Sequence, residues 1–242
     1  MNPRFFKFQQ MADFKSAQEE SVQNINDDAA KVMYKAKGFW DKFSKTIIYV
    51  GGAIIIILGA YLGYKKFVSE PAEEKANDAI WKAQGFFDKD SLNLALNGSG
   101  NSMGFEKIAK TYSGTKAGNL SNYYAGLCYL KLGNPTKAVT FLKDFSSDGK
   151  QLQAIAYARL ADAYGDLNKQ EDALSYYEKA ANTFPEDEGV SSEALFRAAQ
   201  LSEVMQKNDN AIKYYKSLKE KYPKTEHGSV ADKYLARLGV LN

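Results

Sequence analysis

The sequence predicts an all-α protein in which a single N-terminal transmembrane helix is followed by an α-solenoid of repeated helix pairs. One observation behind this prediction is an uninterrupted run of uncharged, mostly apolar residues from Thr46 to Tyr64. The other is an internal repetition of small, aromatic and proline residues in the second half of the chain. The composition, 45% hydrophobic and 25% charged, is ordinary for a folded chain. The net charge of +3 is too small to predict nucleic-acid binding.

Residues 1–45 are expected to form a cytoplasmic and partly disordered tail with a helical tendency. The stretch QEESVQNINDD is rich in polar residues that bury little apolar surface. Phe5, Phe8 and Met11 recur at a spacing of three among basic residues. That spacing also fits a short amphipathic helix lying on a membrane or on a partner. The composition favours the solvated tail over this alternative.

Residues 46–66 are predicted to form the transmembrane helix. At ~1.5 Å per residue, the nineteen residues from Thr46 to Tyr64 extend over about 28 Å, close to the thickness of a hydrocarbon core. Lys45 and Lys65 bracket the run, which argues against a helix buried in a protein core. A cleavable signal peptide fits poorly, because the run is long, lies behind a long tail and is followed by no small-x-small cleavage site.

Positive charge is slightly denser before the span than after it. Five lysines lie within the twenty residues on its N-terminal side and four within the twenty on its C-terminal side. The positive-inside rule therefore predicts an inner-membrane protein with a cytoplasmic N-terminus and a periplasmic C-terminal domain. Gly59 and Gly63, with Gly52 on a nearby face, are expected to let the span pack against another membrane helix. Glycine is also common in membrane helices without such a role.

Internal repetition organises the second half of the chain. Spacings of four, three and five residues occur twice, in Ala173, Tyr177, Ala180 and Pro185, and in Ala211, Tyr215, Leu218 and Pro223. An earlier, related set consists of Gly126, Tyr129, Gly133 and Ala138. Small residues let antiparallel helices approach, aromatic residues fill the space between helix pairs, and proline ends the second helix. The repetition predicts three helix pairs that share one template.

These residues resemble the tetratricopeptide repeat, a helix-turn-helix unit of about 34 residues. The resemblance covers residues 119–226 and implies a tetratricopeptide-repeat α-solenoid. It departs from the family pattern where Asn122, Tyr157 and Leu195 replace the tryptophan usual early in the repeat.

The two ends of the solenoid are expected to be covered, because an open stack of repeats needs capping elements for solubility. Residues 67–118 are predicted to form a divergent capping helix pair, and residues 227–242 a C-terminal capping helix. The two boundaries share a sequence pattern. It comprises Tyr112, Thr115, Gly118 and Tyr124, which recur 110 residues later as Tyr222, Thr225, Gly228 and Tyr234.

Few residues point to catalysis. Cys128 stands at a helix position where small apolar residues pack, so we expect it to be buried. His227 is the only histidine, lies near a predicted turn without metal-ligand spacing, and is expected at the surface. The glycines of ALNGSGNSMGF lack the lysine and preceding strand of a phosphate-binding loop, so they predict a turn. We therefore expect a non-enzyme with no cofactor, metal or small-molecule substrate.

In the architecture implied by the resemblance, the first helix of each repeat lines a groove. Transfer of the groove positions predicts a protein-binding surface made of Tyr123, Leu127, Ala158, Asp162, Asp166, Phe196, Gln200 and Glu203. Aromatic residues beside acidic ones suit an extended peptide with apolar and basic side chains. Packing of the aromatic residues between helices is an equally good interpretation.

The layout of tail, single span and repeats ending in YPKTEHGSVADKYLARL resembles the bacterial ancillary subunit family of the Sec translocon. The resemblance extends from residue 46 to the C-terminus, whereas the tail is longer than in the family. It implies a periplasmic repeat domain that associates with the SecYEG channel and with a membrane-anchored periplasmic chaperone of the peptidyl-prolyl isomerase type. A general scaffold for an envelope or secretion machine and a cytosol-facing import receptor remain alternatives.

Overall fold

The computed structural model describes the backbone of residues 3–240 and the side chains of residue 23 and of residues 28–240. The chain divides into two compact units, residues 1–65 and residues 66–242. Both are built mainly from helices.

The first unit consists of helix α1, Pro3–Tyr64. From residue 3 onward the predicted tail thus has a helical backbone, in agreement with its helical tendency, while its partial disorder stays a prediction. Its later part is rich in alanine and lysine, which are good helix formers. The side chains of Phe5, Phe8 and Met11 lie outside the described residues, so the amphipathic alternative stays a prediction.

The apolar segment of α1 is exposed along its whole length. No residue from Thr46 to Tyr64 is buried in the described chain, and Ile55 is 71% exposed. A core helix buries its apolar stripe, so this exposure excludes the core-helix interpretation. By length and composition the helix can cross a membrane. A membrane anchor and a signal sequence share these properties.

The second unit begins with an elaborated helix pair. A π-helical segment at Lys65–Ser69 precedes α2, Glu70–Phe87. The partner of α2 is split into α3, Leu92–Asn97, and α4, Phe105–Thr111. Between them lies an antiparallel hairpin of β1, Gly98–Ser99, and β2, Ser102–Met103.

The hairpin occupies the glycine-rich stretch that the sequence predicts to be a turn. Gly98 and Gly100 have positive φ angles of 84° and 56°, which glycine adopts without steric cost. A Cβ at Gly98 would also lie 2.1 Å from the carbonyl oxygen of Ser102. These glycines are therefore explained by the backbone conformation of the hairpin.

Three helix pairs and a short terminal segment follow. The pairs are α5, Lys116–Lys131, with α6, Pro135–Asp144; α7, Lys150–Asp166, with α8, Gln170–Thr183; and α9, Glu188–Val204, with α10, Asn208–Lys221. The terminal segment contains α11, Glu226–Ser229, and α12, Ala231–Arg237. Ala231 and Leu235 of α12 are buried in one cluster with Tyr215 and Leu218 of α10. The last pair is thereby covered.

Four helices end in the same way. A residue with positive φ follows α2, α5, α7 and α9, namely Asp90, Gly133, Asn168 and Gln206. After each of them, the next backbone N–H donates to the carbonyl five residues earlier, at 2.8 or 2.9 Å. This bond pattern satisfies carbonyls left free at a helix end. Helix α2 therefore has the register of a first helix, a feature that the sequence pattern did not predict.

The first and second helices of a pair meet at small residues. A Cβ at Gly126 would lie 2.5 Å from Cγ of Leu142, so α5 and α6 approach closely because Gly126 has no side chain. Ala161 and Ala199 hold the corresponding positions of α7 and α9, and both are fully buried. These contacts fix the distance between the two helices of each pair.

The pattern shared by the two solenoid boundaries forms two matching helix starts. The side chains of Thr115 and Thr225 accept hydrogen bonds from the backbone N–H groups of Gly118 and Gly228. Each threonine hydroxyl also donates to the carbonyl of the tyrosine three residues earlier. A Cβ would lie 1.9 Å from that carbonyl oxygen at Gly118 and 1.8 Å from it at Gly228. Both glycines are therefore required by close backbone approach.

We predict that Gly126→Ala lowers the free energy of unfolding by about 1–2 kcal/mol, because the new methyl group overlaps the buried side chain of Leu142. The matched change Gly165→Ala in α7 should raise that free energy by about 0.5–1 kcal/mol, since alanine is the better helix former. Nothing lies within 4 Å of a Cβ at Gly165. Urea unfolding of the full chain in detergent, followed by circular dichroism, measures both. A Gly126→Ala variant as stable as the wild type would contradict the close approach.

Candidate functional site

All eight residues predicted to line a groove lie on first helices. Helix α5 carries Tyr123 and Leu127, α7 carries Ala158, Asp162 and Asp166, and α9 carries Phe196, Gln200 and Glu203. Asp166 and Gln200 are exposed, and the other six are half-buried. Helix α5 contacts α2 and α7, and α7 contacts α9. We call these four neighbouring helices, α2, α5, α7 and α9, the first-helix row.

The two aromatic candidates pack against other rings. The ring of Tyr123 lies 5.3 Å from that of Phe145 and 5.7 Å from that of Tyr124. Phe196 stacks on the imidazole of His227, with ring centroids 4.3 Å apart. Such pairs stabilise helix packing beyond the area that they bury. These contacts support the packing interpretation for the buried part of both rings.

Asp162 is held by two donors of the chain itself. The Tyr177 hydroxyl donates to it at 2.6 Å and the Arg159 guanidinium at 2.8 Å. Burial of Tyr177, reinforced by the charge and hydrogen bond of Asp162, raises the pKa of the tyrosine. The hydroxyl therefore keeps its proton and remains a donor at neutral pH. Asp162 links α7 to α8.

Glu203 is held in a similar way between α10 and α12. The Tyr215 hydroxyl donates to it at 2.6 Å, and Arg237 donates to both of its carboxylate oxygens at 2.7 Å. Burial and then the hydrogen bond to Glu203 raise the pKa of Tyr215. The sequence predicted Asp162 and Glu203 as contacts for a basic partner. The structure gives both carboxylates arginine and tyrosine partners within the solenoid.

His227 is half-buried, whereas the sequence predicts a surface histidine. Its side chain is 22% exposed and pairs with Glu193 of α9. Partial burial favours a higher pKa for Glu193, but Arg197 and then His227 outweigh it and hold that pKa below its usual value. The imidazole therefore fastens α11 to α9. The sequence could not show this, because Glu193 lies 34 residues away along the chain.

Sequence reasoning also missed two arginines of the first-helix row. Arg159 and Arg197 occupy the same register position, nine residues before the positive-φ residue that follows each helix. Arg159 pairs with Asp162 and Arg197 with Glu193, at 2.8 and 2.6 Å. Their spacing of 38 residues equals the spacing of the last two repeats. Because the two arginines share the spacing of the repeats, a search of the sequence at that spacing could have found them.

Cys128 has the environment of a packing residue. It is fully buried, and burial raises the pKa of its thiol to about 12. The thiol is therefore protonated at neutral pH and is not a nucleophile. Within the part of the chain that the structure describes, no group of three His, Cys, Asp or Glu side chains is placed to hold a metal ion.

The glycines of the apolar segment face open space. Nothing lies within 4 Å of a Cβ built at Gly52, Gly59 or Gly63. A second helix therefore has room to approach at these positions. Packing of this helix against a membrane partner stays a prediction.

Comparison with known proteins identifies the repeats. Residues 121–148, 154–187 and 193–225 match family models described as the tetratricopeptide repeat. The chain carries three tetratricopeptide repeats. They coincide with the pairs that begin at α5, α7 and α9, so the predicted tetratricopeptide solenoid is confirmed. Stacked repeats of this kind present extended binding surfaces, which makes the chain a protein-interaction scaffold.

The solved structures that are similar to this chain include that of MamA protein. The crystal structure of MamA protein covers 68% of this chain and 90% of its own, with 18% sequence identity and a TM-score of 0.49. A comparison with curated protein sequences finds no match.

We predict that Tyr177→Phe lowers the free energy of unfolding by about 1–2 kcal/mol, because Asp162 loses a hydroxyl donor. Tyr176→Phe is the matched control, since the Tyr176 hydroxyl makes no hydrogen bond within the described residues. The control should change the free energy by less than about 0.5 kcal/mol. Denaturant titrations of both variants give the comparison. Equal stabilities would remove the structural role assigned to Asp162.

Proposed function

We propose that this chain is a non-catalytic, membrane-anchored repeat protein that serves the Sec translocon as an accessory subunit and binds a periplasmic chaperone or emerging client chains. The observation that carries the proposal is an exposed apolar helical segment in the same chain as three tetratricopeptide repeats. Exposed apolar surface costs roughly 25 cal/mol per Å² in water. A bilayer removes that cost for a segment of this length.

We infer that the segment is retained as an anchor in the inner membrane. The long tail before it and the flanking lysines are typical of an anchor rather than of a cleaved signal. The small excess of lysines on the N-terminal side supports a cytoplasmic tail and a periplasmic repeat domain.

A repeat domain tethered beside a channel binds its partners efficiently. A solenoid keeps its surface preformed, so little ordering is needed when an extended segment binds. The tether raises the effective concentration of that surface near emerging chains and near a channel-bound chaperone. Weak individual contacts are then sufficient for the repeat domain to bind its partners.

We propose that the partner contacts the exposed and half-exposed part of the candidate groove. Asp166 and Gln200 are exposed and make no side-chain hydrogen bond in the described chain. Leu127 and Ala158 are half-buried on the same helices. Asp162 and Glu203 contribute less than the sequence predicts, because arginines of the chain offset their charges.

We predict that the double variant Asp166→Lys with Gln200→Lys loses about tenfold of its chaperone or client crosslinks in vivo, equivalent to about 1.4 kcal/mol. Two new positive charges would repel a basic segment at positions that serve no internal bond. Photocrosslinking in cells followed by mass spectrometry measures the loss. Circular dichroism of the purified variant checks that its helices persist.

Two further variants make this result specific. Glu220→Lys changes the charge of an exposed residue on α10, a second helix, and should leave all crosslinks unchanged. Gly59→Leu with Gly63→Leu should weaken crosslinks to the channel while the chaperone crosslinks persist. Chaperone crosslinks that survive the double lysine variant would exclude the groove. A wild-type chain that captures no translocon component would exclude the accessory-subunit role in favour of a scaffold for another envelope machine.

A further inference from the structure

An exposed tryptophan lies at the first end of the first-helix row. Trp81 of α2 is 76% exposed. It stands nine residues before Asp90, in the register position that Tyr124, Arg159 and Arg197 hold on the next three helices. An aromatic side chain of this size usually buries most of its surface. Its exposure here leaves a large apolar face for a ligand.

Trp81 forms one wall of a cleft between α2 and α5. The cleft has a volume of about 310 Å³ and is lined by Trp81, Gln84, Gly85, Asp88 and Tyr124. Gly85 lies one helical turn after Trp81, and nothing lies within 4 Å of a Cβ there. The missing side chain leaves the flank of the indole accessible.

The opposite wall belongs to a fixed aromatic cluster. The Tyr124 ring stacks on Phe105 at 5.1 Å and meets Phe87 edge-on at 5.3 Å. Phe105 is fully buried. Tyr124 is therefore held in place before any ligand arrives, which lowers the ordering cost of binding.

Asp88 lines the cleft, and further acidic residues lie along the same face of α2. Four exposed acidic residues share the helix face of Trp81, namely Glu70, Glu74, Asp78 and Asp88. In the described chain, none of these four carboxylates forms an ion pair. The nearby Lys131 is instead paired with Asp90 and lies over the ring of Phe87. An indole face beside unpaired carboxylates suits a cation, because tryptophan gives the strongest cation–π attraction.

The second unit already uses this chemistry within itself. Five of its aromatic rings carry a cation of the chain, contributed by Lys131, Lys137, Lys169, Lys179 and Arg237. No such contact involves Trp81 among the residues that the structure describes. The indole of Trp81, which is larger than these five rings and 76% exposed, is thus left for a cation from outside the chain.

We propose that the cleft of Trp81 and Tyr124 binds a lysine or arginine side chain of a partner polypeptide, with the cation against the indole and facing Asp88. Tyr124 belongs to the first matched repeat, whereas the other lining residues belong to α2 and lie outside the three matches, so the site extends the binding surface to α2. It rests on the proposed function only in that the chain binds a protein partner. It does not depend on which partner that is.

The test measures binding of a fluorescein-labelled, end-blocked hexa-arginine peptide to the full chain in detergent by fluorescence anisotropy. Trp81→Ala and Asp88→Asn should each weaken binding by about tenfold. The first change removes one wall of the cleft, and the second removes its negative charge. Trp40→Ala and Asp148→Asn are the matched controls on exposed residues elsewhere, and both should bind as the wild type does. Circular dichroism confirms that every variant is folded.

Three results would overturn the proposal. They are an unchanged affinity of the Trp81→Ala variant, equal affinity for a hexaglutamate peptide, and tighter binding of an uncharged phenylalanine–glycine hexapeptide. In a Trp40→Phe chain Trp81 is the only tryptophan, so hexa-arginine should also change the tryptophan emission. Because no translocon component is present, failure here leaves the proposed function standing, and failure of the proposed function leaves this site standing.

Discussion

The close approach of two helices at a residue without a side chain, or with only a methyl group, is the constraint on which the repeat domain depends. At Gly126 there is no room for a Cβ beside Leu142, and alanines stand at the same position of the next two pairs. The distance between the two helices of a pair determines which side chains of the second helix contact the first helix. The Tyr177 hydroxyl can therefore donate to Asp162 at 2.6 Å. Each helix pair that is closed in this way packs against the next helix pair.

This packing changes the meaning of the acidic residues on the first helices. Carboxylates that receive a tyrosine hydroxyl and an arginine stabilise the stack, and their charges are partly offset before any partner arrives. What the row presents outward is a mixture of exposed polar residues on α7 and α9 and an exposed indole on α2. A partner segment with basic and apolar side chains fits that mixture, and we propose that the apolar helix supplies the attachment that lets weak contacts act together.

The sequence was sufficient for features that rest on local chemistry. Small residues, aromatic residues and prolines at fixed spacings predicted the fold class and the three repeats, and the uncharged run from Thr46 to Tyr64 predicted a long apolar helix. Features that depend on stacking were not predictable. The partner of His227 is 34 residues away, and the register of α2 ends in Asp90, where a pattern search expects glycine or asparagine.

We propose that the apolar helix holds the repeat domain on the periplasmic side of the inner membrane. Protease treatment of intact spheroplasts tests it most directly, with fragments detected through an epitope at the N-terminus and lysed spheroplasts as the control. The account predicts that residues 70–242 are degraded in intact spheroplasts while the N-terminal tail is protected. Protection of the repeats in intact spheroplasts, with degradation only after lysis, would contradict it.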